Sequence, residues 1–162
     1  TNPLGNPELP GQTSDGGLHW IGSLTSHYNT SLTLSSNFAV GGATTDSDLV
    51  SPWNTSIPSP IDQVKLFSKS IASKSLSAPW HSCNTLGGIW MGINELGSSY
   101  ARGDLDTLLL RIMNSYLGQL QILYNAGSLA LTSNTDAKAK LIQTGPAFNK
   151  ALNNPEAYGA PN

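Results

Sequence analysis

Two short segments carry the residues with the clearest chemical potential. Residues 37–44 read NFAVGGAT, and the glycines Gly41 and Gly42 follow a short apolar run. Glycine leaves the backbone N–H unshielded by a side chain, so such a turn can bind an anion. Residues 92–95 read GINE, in which Asn94 follows a second apolar run and offers a neutral amide with two donor hydrogens. A backbone N–H and a side-chain amide aimed at one point form an oxyanion hole, which stabilises the charge on a carbonyl oxygen under attack.

No complete catalytic or metal-binding motif accompanies these segments. The sequence contains no G-x-S-x-G elbow, no phosphate-binding glycine loop and no H-E-x-x-H motif. Of the three histidines, only His19 and His27 share a face of an expected helix, whereas a metal site needs three or four convergent ligands. We therefore expect surface or helix-capping histidines, no metal and no cofactor.

The composition excludes two classes of partner. The net charge is −2 and only 11% of the 162 residues are charged, with no basic stripe to neutralise a run of phosphates. No apolar run approaches the ~18 residues of a membrane span. We therefore expect neither nucleic-acid binding nor a membrane segment.

Two acceptor sequons, at Asn29 and Asn54, and the weakly charged composition favour a secreted glycoprotein. The single cysteine, Cys83, is expected to be a small buried side chain.

The apolar periodicity predicts helices that alternate with short buried strands. The clearest helix begins after Asp104 and ends near Gly127, with apolar residues three and four apart along one face. The remaining expected elements are a helix from a cap at Asp15 to Tyr28, helices at 61–74 and 135–152, and strands at 35–40, 86–93 and 129–131. This alternation favours a single α/β layered domain over residues 1–162, with a mainly parallel sheet.

The order and surroundings of the two segments resemble a known family, although each alone also fits an ordinary turn. Residues 37–44 resemble the second conserved block of the GDSL (SGNH) hydrolases. Residues 89–97, which read IWMGINELG, resemble the third block, usually written G-x-N-D. The NPLGNP segment at 2–7 and the helix that starts at 61–64 extend the likeness to fungal secreted esterases of carbohydrate esterase family sixteen.

This resemblance implies a three-layer α/β/α SGNH-hydrolase domain of flavodoxin-like type. In that family a Ser-His-Asp triad attacks an ester, and Gly42 and Asn94 match the oxyanion donors, with Gly41 the next choice for the backbone donor. Glu95 stands where the family usually has Asp. The sequence has no Gly-Asp-Ser nucleophile block and no Asp-x-x-His acid–base block. We therefore expect a partial domain, truncated at both ends, that lacks the nucleophile and the acid–base pair.

Three functions stay open at this point. The first, which we favour, is a GDSL-type acetylesterase that acts on small esters or acetylated carbohydrates and is a secreted monomer. In this hypothesis the present chain is inactive because it lacks the catalytic triad. The second is a non-catalytic relic that binds carbohydrate or a partner, for which Trp53, Trp80 and Trp90 offer aromatic surfaces. The third is a plain structural α/β domain, expected if the Gly42 N–H and the Asn94 amide point apart.

Overall fold

The computed structural model describes residues 13–14, 16–76, 78–128, 145–154 and 157. Within these residues the regular structure consists of five helices. They are α1 (Trp20–Ser26), α2 (Pro60–Ser70), α3 (Ile93–Ser99), α4 (Leu105–Ser128) and α5 (Gly145–Asn153). None of the helices in the described part is both long and apolar enough to cross a membrane.

Side-chain caps fix the starts of the first two helices. The Nδ1 atom of His19 accepts a hydrogen bond from the Gly22 N–H at 2.9 Å and so caps α1, while the expected cap, Asp15, lies outside the described residues. Ser59 and Asp62 form a reciprocal capping box at the start of α2, where Pro60 occupies the first turn. The hydrogen bond from the Ser59 side chain lowers the pKa of Asp62, because it stabilises the charged carboxylate.

The long helix α4 supplies the core of the described structure, as its apolar spacing predicts. Leu108 and Ile112 are 1% and 6% exposed and pack with Val50, which lies just after the Gly-Gly segment. The Ser115 hydroxyl also donates a hydrogen bond to Asp46 at 3.0 Å, and α4 packs against α2. The helix therefore holds the chain that follows residue 42 from one side.

The expected parallel sheet and three-layer α/β/α architecture are wrong for the described residues, which contain no strand. Segments 35–40 and 86–92, expected as strands, are irregular in the structure. A strand forms only where its N–H and C=O groups pair with a neighbouring strand, so an apolar run alone does not make a sheet. Trp90, expected in a core strand, is 59% exposed. The third expected strand, at 129–131, falls outside the described residues, as does the first part of the helix expected at 135–152.

Replacing Leu108 by alanine tests the core that α4 forms. We expect Leu108→Ala to lower the free energy of unfolding by about 2–5 kcal/mol, because the change leaves a cavity against Val50. Urea unfolding followed by circular dichroism measures the effect. Leu110→Ala is the matched control, since Leu110 lies on the same helix but is 68% exposed. Equal losses in the two variants would contradict this description of the core.

Candidate functional site

The start of α3 contacts the Gly-Gly segment directly. The side-chain amide of Asn94 donates a hydrogen bond from Nδ2 to the carbonyl oxygen of Ala43 at 2.9 Å, across 51 residues of sequence. Ala43 is the residue that follows Gly42, and it is 2% exposed. The structure therefore brings together the two segments that the sequence singled out for chemistry.

Glu95 makes a second connection between the same two segments. Its side chain is 2% exposed, and its Oε1 atom accepts a hydrogen bond from the backbone N–H of Thr45. The Ser99 hydroxyl donates to the Glu95 carbonyl one turn further along the helix, at 2.6 Å. In the GDSL family that the sequence resembles, an Asp usually stands at the position of Glu95. Here its longer side chain is the one that reaches the turn.

The backbone at Gly42 explains which of the two glycines the turn requires. Gly42 has a φ of +84°, a value that side chains disfavour, and a Cβ atom added there would lie 2.5 Å from Nε1 of Trp53 and 3.0 Å from Cδ1 of Ile57. A Cβ atom on Gly41 would meet nothing within 4 Å. The turn closes when the Ala43 N–H donates to the Val40 carbonyl at 3.3 Å. Gly42 is therefore the glycine that the local geometry demands.

Donor hydrogens remain at this site. The Gly42 N–H makes no backbone hydrogen bond within the described residues. Asn94 uses its amide group on the Ala43 carbonyl, and a primary amide carries two hydrogens. Both groups are neutral, so neither has to change its protonation state to stabilise a negative oxygen. A site of this kind can bind a carbonyl oxygen.

The other residues considered from the sequence lie elsewhere. His19 caps α1, and His27 lies 3.2 Å from the hydroxyl of its neighbour Ser26. No group of three or more His, Cys, Asp or Glu side chains that could hold a metal ion occurs in the described residues. Cys83 is exposed, so the expectation that it would be buried is wrong; it lies in an irregular segment with no helix or strand to enclose it. The sequon residues Asn29 and Asn54 are both exposed.

Two contributions to the site were not apparent in the sequence. Thr45 provides the N–H that Glu95 binds, and a backbone donor leaves no mark on residue type. Trp53 was considered only as an isolated aromatic surface, whereas the structure places it against Gly42. A glycine pair can indicate that another group approaches the backbone closely, but it does not identify that group.

Comparison with known proteins identifies the class. The chain is 43% identical over 206 aligned positions to an acetylesterase from Thermothelomyces thermophilus, a match that covers 99% of this chain and 68% of the relative. The relative is a hydrolase of ester bonds by its name. The chain therefore belongs to the acetylesterase family. No protein-family model matches the chain, and no solved structure matches it.

The same match shows that this chain is shorter than its relative inside the aligned region. The alignment spans 206 positions whereas the chain has 162 residues, so at least 44 residues of the relative have no counterpart here. Because 99% of the chain is aligned, both segments of the candidate site lie in the part that the two proteins share.

Gly42→Ala tests the turn. We expect it to lower the free energy of unfolding by roughly 1–3 kcal/mol, because alanine is strained at positive φ and its methyl group would displace the Trp53 indole. The displacement should also shift tryptophan fluorescence. Gly41→Ala is the control, and it should leave stability unchanged or slightly raised, because open space surrounds that position. A loss in Gly41→Ala as large as in Gly42→Ala would contradict the assignment.

Two substitutions at Glu95 distinguish the contribution of side-chain length to stability from the contribution of charge. Glu95→Asp keeps the charge but shortens the side chain, so the Thr45 N–H loses its partner in a buried place, at a cost of about 1–3 kcal/mol. Glu95→Gln keeps the length and an acceptor oxygen, and should cost less than Glu95→Asp. Urea unfolding gives the stabilities, and hydrogen exchange at the Thr45 amide reports the bond itself. Slow exchange retained in Glu95→Asp would show that the connection does not depend on reach.

Proposed function

We propose that this chain forms the carbonyl-binding part of an acetyl-ester hydrolase site of GDSL (SGNH) type. The Gly42 N–H and the Asn94 side-chain amide serve as its two oxyanion donors. The observation that carries the proposal is the hydrogen bond from Asn94 to the Ala43 carbonyl, which brings the amide to the residue beside Gly42. The acetylesterase relative supplies the class of bond on which such a site would act.

The chemistry follows from the charge that develops in ester cleavage. When a nucleophile attacks an ester, the carbonyl oxygen becomes an oxyanion, and donors already aimed at it stabilise the transition state more than the ground state. Removing one such donor typically slows a complete enzyme by about 10²–10³-fold. In this proposal the two connections from α3 to the turn hold the donors in place before the charge forms, which limits the reorganisation that the reaction requires.

The covalent route needs groups that this sequence does not contain. It has neither a Gly-Asp-Ser block to provide the nucleophile nor an Asp-x-x-His block to provide the base and its orienting acid. We therefore propose that this chain binds the acetyl carbonyl without hydrolysing the ester at an enzymatic rate. The substrate class is a small acetate ester or an acetylated carbohydrate, and the place of action is outside the cell, in keeping with the exposed sequon residues Asn29 and Asn54.

Binding and hydrolysis can be measured side by side on the unglycosylated chain. We expect phenyl acetate, and its hydrolysis-resistant amide analogue acetanilide, to shift the backbone amide resonance of Gly42 and the side-chain amide resonances of Asn94. Release of phenol should stay at the rate seen in buffer. Asn94→Ala should abolish the shift at Gly42, whereas Asn114→Ala, on the exposed face of α4, should leave it unchanged.

Two outcomes would contradict the proposal in different ways. Hydrolysis above background that Asn94→Ala removes would show a complete active site and overturn the binding-only part. Resonances at Gly42 that no acetate perturbs, in a chain that unfolds cooperatively, would overturn the carbonyl site itself. Thermal unfolding of Asn94→Ala distinguishes loss of a donor from loss of the fold.

A further inference from the structure

The indole of Trp53 lies against the same turn. Its Nε1 and Cδ1 atoms occupy the space where a Cβ of residue 42 would be, at 2.5 and 3.0 Å from that position. The side chain is nevertheless 82% exposed. One edge of the ring thus touches the Gly42 backbone, and most of the remaining ring surface faces solvent.

Hydrogen bonds close the short loop that follows Trp53. The next residue, Asn54, accepts hydrogen bonds on Oδ1 from the N–H and the hydroxyl of Ser56, each at 2.9 Å. Its carbonyl accepts a third from the Ile57 N–H at 3.0 Å. Pro52, which precedes the tryptophan in the sequence, is buried. The backbone on both sides of Trp53 is therefore constrained, which reduces the conformational entropy that binding would otherwise cost.

Trp80 shows by contrast what a structural tryptophan looks like in this chain. Its Nε1 donates to the Ile71 carbonyl at 2.6 Å, its ring packs against Phe67, and the ammonium of Lys74 lies 4.3 Å from the ring centroid. Trp53 has no such set of contacts, and its indole N–H makes no hydrogen bond within the described residues. A large aromatic ring with an unused donor, displayed beside a candidate binding point, has the character of a ligand contact.

We propose that Trp53 contacts the alcohol part of the bound ester and determines which alcohols the site accepts. This rests on the proposed function, since the alcohol oxygen is bonded to the carbonyl carbon and must lie next to the oxyanion donors. The exposed ring face stacks on a flat ring with an array of C–H groups, such as a pyranoside, and the indole N–H donates to an ester or ring oxygen. A flexible alkyl alcohol gains less from the same surface, because it loses more conformational freedom on binding.

The test compares three acetates on the unglycosylated chain by isothermal titration or by resonance shifts at Gly42. The probes are peracetylated methyl xyloside, phenyl acetate and hexyl acetate. Trp53→Ala should weaken binding of the xyloside roughly tenfold and that of hexyl acetate about twofold or less, so the ratio of the two affinities falls. Trp53→Phe keeps a flat ring without the N–H and should lie between the wild type and Trp53→Ala.

Trp20→Ala is the matched control, because Trp20 also packs an aromatic edge against a glycine, Gly88, at the other end of the 86–92 segment. It should leave the affinity ratio unchanged. A ratio equal in wild type and Trp53→Ala, while Asn94→Ala still abolishes binding, would overturn the role of Trp53 and leave the carbonyl site standing. Absence of binding by all three acetates would overturn both proposals. Because Trp53 is largely exposed, its alanine variant should keep the thermal stability of the wild type, which a melting curve verifies.

Discussion

Two consecutive side chains at the start of α3 fix the conformation on which the candidate site depends. Asn94 donates to the Ala43 carbonyl and Glu95 accepts from the Thr45 N–H, so one helical turn binds both an acceptor and a donor of the same short backbone segment. Because both bonds are made to backbone groups, they constrain the backbone conformation of residues 43–45 and do not depend on the side chains there. The positive φ of Gly42 and the approach of Trp53 are consequences of that conformation.

The features of this structure that depend on residues close together in the sequence could be predicted from the sequence. Helix α4 follows from apolar residues three and four apart, because a helix satisfies its own hydrogen bonds and needs only one face buried. The order of the two segments singled out Gly42 and Asn94, and the structure brings Asn94 to the residue that follows Gly42; their role as oxyanion donors stays a prediction. Only the family resemblance ranked Gly42 above Gly41, because the physical difference lies in φ and in the distance to Trp53, which residue type does not encode.

The sheet could not be predicted correctly because strands depend on partners that no local pattern reveals. Residues 35–40 and 86–92 have the composition of buried strands, but in the structure they are irregular. The described part of the chain contains no strand with which they could form a sheet. An apolar run therefore indicates a tendency toward strand that only a partner can realise.

Because the described residues form no sheet, the two side-chain connections have more weight than they would have in a layered domain. In a parallel sheet the strand tips themselves hold catalytic turns close together. Here the turn at 41–45 and the start of α3 have no common ladder, so Asn94 and Glu95 supply that connection with side chains. Burying the Glu95 carboxylate is costly, and one of its oxygens has no partner in the described residues. The Glu95 side chain has one methylene more than Asp, and this length lets it reach Thr45. Its burial, although costly, is best explained by the position that it enforces on the turn.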